Sequence, residues 1–130
     1  MAAFSDYLED QITGWINGTT FASAPTNTYV QLFNGSPTDA GTGGTALFSR
    51  TAVASGGWTR GTSGAGTLSN TSQVLITSSA ASSATATHCA VFDSSAGGNL
   101  LWHGALATTL SIAVADEIRF NAGGLALSVA

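Results

Sequence analysis

From Thr28 onward the chain is written as short segments rich in β-branched and aromatic residues. Glycine-bearing turns interrupt them at intervals of about ten residues. Thr28–Phe33, Leu47–Ala54, Gln73–Ile76, Thr87–Phe92 and Asn99–Leu106 read as strands, followed by Leu110–Val114 as a strand or the entry to one, then Glu117–Phe120 and Leu125–Val129. Asn34–Gly44, Gly56-Gly57, Gly61–Gly66, Ser78–Thr85 and Asn121–Gly124 read as breaks or loops. Asp93–Gly98 joins two strands as a hairpin with a longer loop. In the last segment Leu125, Leu127 and Val129 fall on one face. Short strands at this spacing predict a mainly β protein, an antiparallel sandwich or barrel-like domain.

The segment before Gly18 follows a different period. Phe4, Leu8, Ile12, Trp15 and Ile16 recur at helical spacing and make one apolar stripe. Ser5 can cap the first turn, and Asp6, Glu9 and Asp10 lie where the helix dipole favours negative charge. Asn17-Gly18 is a stop signal. Residues 4–17 are therefore expected to form an N-terminal amphipathic helix, with a β domain over 28–130. The 130 residues suit a single domain spanning 1–130. A chain of this length hides roughly two-thirds of its surface on folding and needs no metal or disulfide to hold a core.

Charge excludes several functions. There is no lysine, and the cations are Arg50, Arg60 and Arg119 against seven acids. Binding to nucleic acid draws most of its strength from neutralised phosphates, so a nucleic-acid partner is not expected. An anionic membrane surface is disfavoured for the same reason, and no run approaches the length of a membrane-spanning helix. Gly, Ala, Ser and Thr make up 72 of the 130 residues, which leaves few groups that ionise near neutral pH. A surface so poor in charge suits a protein packed against neighbours. The single Cys89 permits no internal disulfide and fits a reducing cytoplasm. The first residues lack the basic region and apolar run of a signal peptide. Asn-x-Ser/Thr triplets at Asn17, Asn34 and Asn70 follow from the abundance of Ser and Thr.

No constellation of catalytic residues stands out. His88 and Cys89 are neighbours, but neighbouring strand residues point to opposite faces, so Cys89 could meet only His103. A small buried apolar cysteine is the expectation. His88 and His103 could face each other across the hairpin, but zinc needs three or four ligands, and Asp93 and Cys89 show no recognised spacing. Asp116-Glu117 reads as a solvated pair or a partner for Arg119. The glycine-rich stretches match no phosphate loop. No catalytic, metal or cofactor residues are assigned. Trp15 and Trp102 read as core, and Trp58, beside the Gly-Gly break, as the best exposed contact for a partner or a sugar ring. The candidate interface is Phe4, Leu8, Ile12, Trp15 and Trp58.

Several segments together carry a family resemblance. They are Phe4-Ser5-Asp6-Tyr7-Leu8-Glu9, Tyr29-Val30-Gln31-Leu32-Phe33 and the loop from Pro37 to Thr45. The most specific stretch is Thr87-His88-Cys89-Ala90-Val91-Phe92-Asp93 followed by Gly97-Gly98-Asn99-Leu100-Leu101-Trp102-His103-Gly104. Asp116 to Phe120 and Gly123-Gly124-Leu125 complete it. In this order the chain resembles short tailed-phage virion proteins labelled tail-fibre proteins, some of whose size class serve as head decoration (cement) proteins. The resemblance implies a non-enzymatic structural component of a bacteriophage virion, assembled in the host cytoplasm. A capsid cement protein bound to the major capsid protein or other virion proteins is the leading expectation. A tail or tail-fibre tip module that binds a host surface or glycan is the alternative. A homo-oligomer is expected, a trimer by analogy with decoration proteins.

Overall fold

The computed structural model describes residues 3–78 and 83–128. These form one helix, α1 (Asp6–Ile16), and the strands β1 (Ala3–Phe4), β2 (Asn27–Asn34), β3 (Thr45–Ala54), β4 (Trp58–Arg60) and β5 (Thr67–Asn70). They continue with β6 (Val74–Thr77), β7 (Ala84–Phe92), β8 (Leu100–Ile112), β9 (Glu117–Phe120) and β10 (Ala126–Ser128). A five-stranded sheet runs β1-β8-β7-β2-β3, a three-stranded sheet β10-β5-β4, and β6 pairs with β9. All these pairings are antiparallel.

Alternation along the strands builds the core. Val30 and Leu32 on β2, Cys89 and Val91 on β7 and Trp102 on β8 share one face of the large sheet. They pack against Val74 and Ile76 of β6 and against Leu125 and Leu127 in and beside β10. The architecture is the mainly β, antiparallel one that the strand spacing predicts, and of the sandwich and barrel-like alternatives it is a sandwich and not a closed barrel. Between the Val30–Thr51 and Leu32–Leu47 pairs, three residues of β3 oppose the single Gln31. Phe48 takes the left-handed conformation there (φ 62°), and Gln31 Nε2 donates to its carbonyl at 3.0 Å. That bond accounts for a buried glutamine in a sheet.

The far face of the large sheet is covered as well. Phe33, Ala90, Phe92 and Leu100 form a second buried cluster. The loop after β2 folds back over this face. Pro37 is fully buried, and Asp39 Oδ1 meets His103 Nε2 at 2.7 Å. The ends of this loop touch. Gly44 has φ +64°, and a Cβ there would lie 2.7 Å from the Gly35 carbonyl oxygen. From β3, the Arg50 guanidinium sits 3.5 Å from the Phe92 ring centroid and donates to the carbonyls of Ser94 and Gly97. Burial draws Arg50 below its ordinary pKa, and Asp93 opposes that shift.

Several expectations need correction. Ser5 does cap the helix, its Oγ accepting from Leu8 N at 3.2 Å, but the helix is Asp6–Ile16 and not residues 4–17. Ser5 N donates to the Leu101 carbonyl and Ser5 Oγ to that of Leu100, which holds Phe4 in β1 beside Trp102. The apolar stripe does not bury its whole length. Leu8 and Ile12 are half-buried, whereas Trp15 is 64% exposed and does not belong to the core. Leu110–Val114 is no separate strand, because β8 continues unbroken to Ile112. The glycine-rich region hides two strands, β4 and β5. The stretch Ser78–Thr85 lies partly outside the described residues, and β7 already begins at Ala84.

Candidate docking cleft

The turn that ends β3 leads the chain into the wall of an apolar concavity. Gly57 N donates to the Ala54 carbonyl at 2.8 Å, and the chain turns from the large sheet into β4. A Cβ on Gly57 would lie 2.5 Å from Val53 Cγ1, so the reversal depends on glycine. Trp58 follows at once. Its Nε1 donates to Thr28 Oγ1 at 2.8 Å, which lays the indole against the large sheet. Trp58 is half-buried and not the freely exposed aromatic that its place beside the glycines suggests.

Trp58 forms one wall of a cleft of about 420 Å³. Phe4 and Leu8 come in from β1 and α1, Leu101 and Trp102 from β8, and Leu68 and Leu127 from β5 and β10. Trp102 is buried, and its Nε1 donates to the Ser128 carbonyl at 3.0 Å, tying β10 to the large sheet. Both indole N–H groups are thus already satisfied within the protein. The loop Gly61–Gly66 borders the opening, and Arg60 stands there exposed, without an ion pair or hydrogen bond among the described residues. Among the described residues the lining holds no His, Cys, Asp or Glu. Such a cleft can bury an apolar group and attract a negative one.

The back wall depends on a residue whose role the sequence conceals. Asn70 is 1% exposed at the end of β5. Its Nδ2 donates to the carbonyls of Ser72 (2.8 Å), Phe120 (3.2 Å) and Asn121 (2.9 Å), and its Oδ1 accepts from Leu125 N at 2.8 Å. One amide fixes the approach of β10 to β5. The Asn70 triplet is therefore a structural hub whose side chain is turned inward.

Of the five candidate interface residues, Phe4, Leu8 and Trp58 meet in the cleft, whereas Ile12 and Trp15 do not line it. The three tryptophans form no common platform, since only Trp58 and Trp102 share the site. Arg60, Leu68, Leu101 and Leu127 belong to it without having been singled out.

The histidines and the cysteine lie elsewhere. Cys89 faces Gly104 across the β7–β8 pair, not His103, and is 1% exposed. Burial pushes its thiol up to about 12. His103 is opposite Ala90 and bonded to Asp39, and His88 Nδ1 lies 2.9 Å from Thr87 Oγ1. Burial, as the largest cause, lowers the His88 pKa. Among the described residues no three His, Cys, Asp or Glu are grouped to hold a metal ion. Glu117 pairs with Arg119 at 2.8 Å on the surface.

Residues 3–128 match the model of a family described as podophage GP4 fiber I protein gp80. No curated protein matches the chain.

Proposed function

The chain belongs to this podophage fibre family, a family of bacteriophage virion structural proteins, and from that membership we propose that it is a non-enzymatic module of a tail fibre. The single observation that carries the reading is the match over residues 3–128, which takes in the helix, the sheets and the cleft. The fibre description favours the tail role over the capsid-cement role. The cleft supports a docking task. It is apolar, it lies between elements from both ends of the chain, and among the described residues its only charged group is an arginine without an ion pair. Surfaces of this kind serve burial against a partner. The sandwich contributes a rigid frame, and the scarcity of charge removes a cost of close packing. The site of action is the virion.

Gentle disruption of particles into heads and tails tests the role. The chain is expected in the tail fraction, detected by mass spectrometry of each fraction. Recovery with the heads would point to cement and contradict the fibre reading.

A further inference from the structure

The apolar stripe of α1 outruns the sandwich. Leu8 and Trp15 are seven residues apart and share one line of the helix, about 10 Å along its axis. Leu8 lines the cleft, while Trp15 is 64% and Ile16 73% exposed. The chain beyond the helix is fastened to it: Thr19 N donates to the Gly14 carbonyl at 2.9 Å, and Ala22 N donates to Gln11 Oε1 at 2.9 Å. Phe21, in that fastened segment, is 41% exposed. The result is a firm apolar knob in water, on a molecule that also carries an open apolar cleft.

We propose that the cleft of one copy receives the Trp15–Ile16 end of α1 from a second copy of this chain. Charge names the occupant. The cleft rim bears Arg60, and among the described residues Arg60 has no ion pair and the lining offers no acid to balance it. The α1 segment carries exposed Asp6, Glu9 and Asp10, has no base, and forms no side-chain ion pair among the described residues. Glu9 lies two turns before Ile16 on the same line of the helix, so a docked knob brings a carboxylate with it toward the arginine. A tryptophan seated in an apolar pocket beside an arginine is the composition of an interface hot spot. Knob and cleft are different surfaces, so the contact is heterologous and propagates head to tail, closing as a ring or extending as a filament. This inference deepens the docking role proposed above and rests on it.

Sedimentation of the purified full chain over a concentration series tests the contact. Wild type is expected to self-associate. Trp15→Ser, or Ile16→Ser on the same knob, is expected to raise the dissociation constant by about thirtyfold or more, the scale of a hot-spot residue. Because both side chains are exposed, the melting temperature stays unchanged at concentrations where the wild type is monomeric. Arg60→Glu is expected to weaken association, and Arg60→Glu combined with Glu9→Arg to recover it. A wild-type monomer at every concentration, a Trp15→Ser variant that associates normally, or a charge swap that restores nothing would each overturn the contact. A monomeric chain that still fractionates with tails would remove this contact and leave the fibre role standing.

Discussion

Replacing Asn70 by alanine isolates the amide that joins the small sheet to its neighbours. In the native chain Asn70 Oδ1 is the acceptor for Leu125 N, at a buried position. Alanine leaves that N–H without a partner, and an unsatisfied buried donor costs ~1–3 kcal/mol. The three carbonyls bonded by Nδ2 fare better, because Ser72 and Asn121 are exposed and Phe120 is half-buried, so water can replace the amide. Losing those bonds adds about 1 kcal/mol in total. The net loss is therefore ~2–4 kcal/mol, read from urea unfolding followed by tryptophan fluorescence. Asn70→Asp sharpens the test. It keeps an acceptor for Leu125 N but turns a carboxylate toward three carbonyl oxygens, so it should be at least as damaging as alanine at neutral pH. A loss below about 0.5 kcal/mol for alanine, or an aspartate variant clearly more stable than the alanine one, would refute the assignment of Asn70 as the hub.

Two further outcomes follow from burial. With its thiol held near 12, Cys89 should resist iodoacetamide at neutral pH in the folded protein and react once denaturant is added; rapid native labelling, followed by mass spectrometry, would place the thiol at the surface. Leu8→Asp puts a carboxylate into the apolar cleft and should cost ~1–3 kcal/mol in thermal unfolding, with Ile12→Asp costing less because Ile12 lies beyond the cleft; equal losses would mean that the cleft does not bury Leu8.

The strands with many β-branched and aromatic residues, β2, β3, β7 and β9, were legible from composition and alternation alone. So was the Ser5 cap, because capping is local chemistry. The missed elements depend on distant partners. Trp58-Thr59-Arg60 and Thr67-Leu68-Ser69-Asn70 are too short to declare themselves among glycines, and they become strands through pairing with each other and with β10. Helical spacing identifies the face that Leu8 and Trp15 share, but not where the sheet beneath that face ends. For that reason Trp15 read as core and stands in solvent. Phe4 fits the helical period equally well, yet Ser5 bonds to β8 and makes it a strand residue. Part of the cleft was visible as Phe4, Leu8 and Trp58. Its other walls, Leu68, Leu101 and Leu127, and the cation Arg60 came with the topology that gathers them.

The fibre role is tested most directly by imaging intact particles and assigning density to this chain. A small number of copies is expected, set by the rotational symmetry of the tail and seated in its fibres. Hundreds of copies spread over the head shell, or no copies in the particle at all, would contradict it.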